Sequence, residues 1–210
     1  MLAVSKPAGM PVQADPTGDI DLVGWLRTHR KEPGIELVHR IDRPVSGVVL
    51  LSRSAEALPM LHELFRERRM HKHYWAIVEG SVKMTAPMVL EHSLKHDQRT
   101  HRSKVVGTSP EAGSRTHVRL LAAGDRYTLV EAIPEGGAFH QIRAQLSAWG
   151  HPIKGDVKYG ARRGEKDRSI ALHARSLRFV HPFTGEDVAI KAPAPTGTLW
   201  SALVVAVPAG

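Results

Sequence analysis

His39-Arg40-Ile41-Asp42-Arg43-Pro44-Val45-Ser46-Gly47-Val48-Val49-Leu50-Leu51 sets a turn directly before a strand. Pro44 fixes its own φ, and Gly47 admits backbone angles that other residues avoid, so the chain is forced to bend there. Val48 to Leu51 is a short unbroken apolar run, which reads as a buried strand. One acid, Asp42, stands on the turn between Arg40 and Arg43. It is either a surface acid in a salt bridge or a carboxylate held ionised at the rim of a sheet.

Upstream, Leu2 to Val4 reads as a strand and Lys6-Pro7-Ala8-Gly9 as a turn. Ile20 to His29 is expected to be helical, with Asp19 or Asp21 near its start, and Glu36 to Val38 leads into the acidic turn. Downstream, Ser54 is the expected N-cap of a helix reaching Arg68, because Leu58, Leu61 and Phe65 recur at helical spacing. His73 to Val78 is rich in aromatic and β-branched residues and reads as a strand.

Thr116 to Leu121 and Tyr127 to Ile133 flank Gly124-Asp125 as a hairpin. Gln141 to Trp149 reads as a helix stopped by Gly150. Leu177, Phe179, Val188 and Ile190 alternate on two strands joined around Pro182 and Gly185, and a last helix is expected from Thr198 to Val205. Paired strands with interspersed helices predict an α+β fold on a mainly antiparallel sheet, as a single domain over residues 1–210.

The chain has 210 residues, 42% hydrophobic and 24% charged, which is ordinary for a globular protein. It has no cysteine, which removes disulfides and thiolate chemistry, and no apolar run near the roughly 20 residues a bilayer requires. The N-terminus lacks a basic stretch followed by an apolar one, so the cytoplasm is the expected compartment and no membrane contact is expected. Lys and Arg number 29 against 21 acids, a formal +8, and such an excess attracts polyanions. Part of the charge is bunched: Lys95, Arg99, Arg102 and Lys104 surround Asp97 in a stretch without apolar residues, expected to be an exposed loop or arm. Arg162, Arg163, Lys166 and Arg168 form a second such group around Glu165 and Asp167. Phosphate contact and a plain solvated loop are both open for each. Thirteen histidines occur without a His-Glu-x-x-His pattern, so no functional metal is expected.

Six stretches, in order, resemble the motifs of RluA-type RNA pseudouridine synthases. They are Lys6-Pro7-Ala8-Gly9-Met10, His39 to Gly47, Lys72-His73-Tyr74, Phe139-His140-Gln141-Ile142-Arg143, Gly150-His151-Pro152-Ile153 through Tyr159-Gly160, and Leu172-His173-Ala174 with His181-Pro182. The resemblance implies a pseudouridine-synthase-like domain with a central RNA-binding cleft, acting on uridines of structured rRNA or tRNA without a cofactor and as a monomer. It implies a catalytic domain alone, without an S4-type RNA-binding domain, so that this domain must hold the RNA itself.

By the same resemblance Asp42 is the catalytic carboxylate, attacking the sugar C1′ or taking a proton from C2′; the sequence leaves both open. Arg143 is expected to pair with Asp42, and Tyr74 to pack on the target uracil with Ile142 as the opposite wall. Arg40 is expected to fill or brace the gap left by a flipped base. His39, Arg43, His140 and Gln141 are expected to shape the loops or touch RNA, and Lys95, Arg99, Arg102 and Lys104 to grip phosphates. Asp156 is expected to fix a turn. Val45 stands where the family has threonine, and Gly137-Ala138-Phe139 where it has Gly-Arg-Thr. These departures leave open a catalytically inactive RNA-binding member of the fold. A metal-dependent nuclease using His and Asp residues is a further alternative.

Overall fold

The computed structural model describes residues 1–108 and 113–207. In chain order its elements are β1 (Leu2–Lys6), α1 (Leu22–Arg30), β2 (Glu36–Leu37), β3 (Ser46–Ser52), α2 (Ala57–Arg66), β4 (His71–Glu79), β5 (Met88–Asp97), β6 (Arg102–Gly107), β7 (Ser114–Ala123), β8 (Tyr127–Pro134), α3 (Gln141–Ala148), a 3₁₀ turn (Val157–Tyr159), β9 (Leu172–Val180), β10 (Asp187–Lys191) and α4 (Thr198–Val204). This is the expected α+β architecture. Among the described residues, no helix is long and apolar enough to cross a membrane. The chain divides into two compact units, Met1–Lys72 with Ala174–Pro193, and His73–His173 with Ala194 onward.

In the first unit β3 lies between β1 and β9, with β2 paired on β3 and β10 on β9. Val48, Val49, Leu50 and Leu51 are all 2% exposed or less, so the apolar run is a strand covered on both faces. Leu50 and Val48 join Leu61 and Leu64 of α2 and Leu177 and Phe179 of β9 in one core. Register on β9 and β10 sets Val188 opposite Phe179 and Ile190 opposite Leu177, as the alternation predicts. Gly47 has φ +114°, and a Cβ there would meet the Ala174 carbonyl oxygen at 2.3 Å. Only glycine fits so close an approach of two backbones.

Several boundaries differ from expectation, among them the end of β1, which runs on through Lys6, and three have a local cause. Helix α1 begins at Leu22 because the Asp21 carboxylate accepts from the Gly24 N–H at 2.9 Å and caps it. Helix α2 begins at Ala57 with Glu56 as its unbonded cap, while the Ser54 hydroxyl accepts from the Glu56 N–H within the preceding loop. It ends at Arg66 rather than Arg68 because Arg68 turns left-handed, at φ +57°, and the N–H groups of Arg69 and Met70 fold back onto the Leu64 carbonyl.

In the second unit the strands run β4, β8, β7, β5, β6, with each neighbouring pair antiparallel. The β7–β8 hairpin is the one expected around Gly124 and Asp125. Helix α3 is buried from Gln141 through Leu146, and Gly150 follows it at φ +89°, as a left-handed stop requires. The segment from Lys95 to Lys104 takes the second of the expected forms: it is an exposed arm made of two strand ends, not a loop. Lys95 pairs with Lys104 and Asp97 with Arg102 across the β5–β6 hairpin. Its lack of apolar residues hid the pairing, because a two-stranded arm in water shows no hydrophobic alternation.

Candidate active site

The acidic turn is held by its backbone. The Val45 N–H donates to the Asp42 carbonyl at 3.0 Å, and Lys6 of β1 pairs with Gly47 of β3, so the strands converge where the turn begins. The Lys6 side chain is buried, and its ammonium donates to the carbonyls of Pro7 at 2.9 Å, Met10 at 2.8 Å and Arg43 at 3.2 Å. Burial pulls its pKa from 10.5 down to about 8, while the negative charge of Asp42 acts against that fall. The Arg43 carbonyl also accepts from the Gly9 N–H at 2.8 Å.

Arg43 closes the clamp from the other side. Its Nε donates to the Gly9 carbonyl at 2.8 Å and its Nη1 to Thr17 Oγ1 at 2.9 Å; it pairs with Asp15 and Asp19 as well. The guanidinium is thus spread over residues 9–19 and ties that loop to the turn. Asp42 itself is half-buried, near enough to Lys6 for its charge to act on that ammonium. Val45, in place of the family threonine, is 1% exposed and belongs to the core.

His39 also shapes the turn. Its Nε2 accepts from the Leu50 N–H at 2.9 Å, and its ring stacks on Phe65 at 4.7 Å. Accepting that bond requires neutral imidazole, and burial with the charge of Lys72 lowers its pKa to about 3. Arg40 is exposed and makes no ion pair among the described residues.

In the second unit Arg143 is 5% exposed and forms a bidentate pair with Asp156, Nε to Oδ2 at 2.7 Å and Nη2 to Oδ1 at 2.9 Å. Asp156 is 1% exposed and also precedes the 3₁₀ turn. The Arg143 guanidinium lies 5.0 Å over the Tyr159 ring. Ile142 is buried beside Arg143, and Tyr74 is half-buried on β4 opposite Ala132 of β8. Gln141 is buried, and its amide is committed internally. Its oxygen accepts from Ala138 at 3.2 Å, and its nitrogen donates to the Arg115 carbonyl at 2.9 Å and Thr116 at 3.0 Å. His140 precedes α3 at φ +52°, stacks on Phe139 at 3.8 Å and shares a 2.9 Å hydrogen bond with the Tyr159 hydroxyl.

Lys95, Arg99, Arg102 and Lys104 are all exposed along the hairpin, and Lys104 pairs with Asp97 at 2.8 Å. Of the second basic group, Arg162 and Arg163 line a cavity of about 580 Å³ with Arg126, Lys154 and Tyr127, where Glu79, Asp125 and Glu165 offset most of the charge.

Two features escape a reading of the motifs. The role of Lys6 has a signal in the alternation of β1, which sets Lys6 on the inward side with Leu2 and Val4. The partnership of Arg143 with Asp156 has none, because neither spacing nor periodicity links a helix residue to a turn beyond it.

The model of the family described as RNA pseudouridylate synthase matches residues 1–148. The chain belongs to that family. Ribosomal large subunit pseudouridine synthase C of Yersinia pestis is 35% identical over 200 residues, 92% of this chain and 62% of its own length. The protein of that name from Escherichia coli (strain K12) is 36% identical over 210 residues, 94% of this chain and 65% of its own. The chain therefore spans less than two thirds of these curated relatives. Among solved structures, human RNA pseudouridylate synthase domain containing 1 superposes with a TM-score of 0.75 at 29% identity, over 92% of this chain and 79% of its own. Human RNA pseudouridylate synthase domain containing 4 gives 0.70 at 26% identity, over 92% and 85%.

Proposed function

We propose that this chain isomerises uridine to pseudouridine in structured RNA, with ribosomal RNA as the substrate and the cytoplasm as its place of action. The observation that carries the reading is Asp42 on a turn clamped by Lys6 and Arg43, inside the segment matched by the family model. The curated relatives are named for the large ribosomal subunit, which favours rRNA over tRNA.

In this reading the target base leaves its stack, at a cost of about a few kcal/mol. The bond from N1 to C1′ breaks, the uracil turns, and C5 bonds to C1′. N1 gains a proton and C5 loses one, so the product has the composition of the substrate. Asp42 is the catalytic carboxylate, acting on C1′ or C2′, and Arg143 is its cationic partner in the reaction. Tyr74 presents its ring to the uracil, with Ile142 as the other wall. Arg40 fills or braces the place of the flipped base. His39, Arg43 and Gln141 serve by holding loops, because their polar atoms are committed within the protein. No cofactor and no obligate protein partner enter the scheme.

The test is release of tritium from rRNA and tRNA labelled at uracil C5. The wild-type protein releases label from rRNA, and Asp42→Asn, checked for folding by circular dichroism, releases none. Release by the Asp42→Asn protein would remove Asp42 from its role. A wild type that binds RNA without release would leave an RNA-binding protein.

A further inference from the structure

The cationic hairpin and the helix that carries Arg143 are joined through one side chain, Tyr159. Near the tip of the hairpin, one pair from its closing turn, Ser103 is buried amid exposed neighbours. Its backbone N–H donates to the Tyr159 hydroxyl at 2.8 Å, and its own hydroxyl donates to the Phe139 carbonyl. The Tyr159 hydroxyl, an acceptor from Ser103, also shares a 2.9 Å hydrogen bond with His140 Nδ1. His140 is the left-handed residue at which α3 begins, and Phe139 just before it meets the His96 ring of β5 at 4.4 Å. The face of the same tyrosine ring lies under the Arg143 guanidinium at 5.0 Å. Tyr159 is only 8% exposed, so these contacts are made away from water.

We propose that Tyr159 is a positioning residue with two separable tasks: its hydroxyl hooks the hairpin to the start of α3, and its ring braces Arg143. This rests on the reading of the chain as an RNA-modifying enzyme. The hook has a use there, because a two-stranded arm is marginal alone and its cations grip phosphates only if the arm is held. The brace has a use because a cation in a reaction needs a fixed place. A tyrosine placed only to fill the core would need a partner for its hydroxyl, but neither partners on two separate elements nor a cation over its face.

The test separates the tasks. Tyr159→Phe keeps the ring and removes the hook. It raises KM for RNA about tenfold, the size expected for stranding buried hydrogen-bond partners, with kcat within about twofold of wild type. It also flattens the salt dependence of RNA binding, measured by fluorescence anisotropy between low and high potassium chloride, because fewer phosphates are gripped. Ser103→Ala keeps its backbone bond to Tyr159 and removes the parallel tie from the hairpin to the Phe139 carbonyl, so it gives the same signature at smaller size. Tyr159→Leu removes the ring and lowers kcat about tenfold as well. Wild-type KM and salt slope in Tyr159→Phe would overturn the hook. A kcat in Tyr159→Phe as low as in Tyr159→Leu would overturn the division of tasks. The binding measurement needs no turnover, so a wild type that releases no tritium defeats the proposed reaction while the hook is still judged by its salt slope.

Discussion

At the residue scale, the acidic turn depends on a histidine that must stay uncharged. His39 Nε2 accepts from the Leu50 N–H, and a proton on that nitrogen would destroy the bond. In the unfolded chain the group titrates at its ordinary 6.5, and in the folded chain near 3. Between those values the unfolded state binds the extra proton, so this site stabilises less as pH falls from about 6.5. Its contribution to the slope approaches the one-proton limit, about 1.4 kcal/mol per pH unit. Urea unfolding at pH 7.5, 6.0 and 5.0 checks this against His39→Gln, which keeps an acceptor and does not titrate. The gap between the proteins should move in favour of His39→Gln as pH falls. A constant gap would mean that His39 takes up its proton as readily in the folded chain as in the unfolded one.

At the scale of elements, Gly47 is where β1, β3 and β9 meet. Its φ of +114° and the 2.3 Å approach of a built Cβ to the Ala174 oxygen leave no room for a side chain. Gly47→Ala would combine backbone strain with overpacking against atoms that cannot swing away. It is expected to cost about 3 kcal/mol or more, read as a lower urea midpoint; an unchanged midpoint would show that β3 and β9 can part. Gly47 was legible as a turn residue, and Val48 to Leu51 as a buried strand, because short-range steric rules and apolar runs are written in the local sequence. The hairpin of β5 and β6 was not legible, since its cross-strand partners from Lys95 to Lys104 are polar on both sides. Nor was the cap of α2, because Ser54 sat at a plausible distance while its hydroxyl served the loop. For the candidate site, motif resemblance located Asp42, Tyr74 and Arg143. The Lys6 and Arg43 clamp needed coordinates, because it is made mainly with backbone carbonyls that any sequence possesses.

At the scale of the whole molecule, a net charge of +8 raises the question whether RNA answers to the overall field or to particular contacts. The chain supplies its own control, because it carries two groups of four cations. Lys95, Arg99, Arg102 and Lys104 stand on a hairpin hooked to α3, whereas Arg162, Arg163, Lys166 and Arg168 sit among balancing acids. Replacing either group with glutamine removes four positive charges and lowers the net charge equally. If the field alone governs, both proteins lose association rate alike and keep similar slopes of affinity against salt. If the hairpin grips phosphates, only its variant flattens the slope. Each released counterion is worth about 0.7 to 0.9 in that slope. Lys104 is already paired with Asp97. Lys95, Arg99 and Arg102 therefore carry most of the effect, and a fall of about 2 to 3 is expected. Equal slopes in the two variants would return the hairpin to the status of a solvated arm, and the charge of this protein to a general attraction without an address.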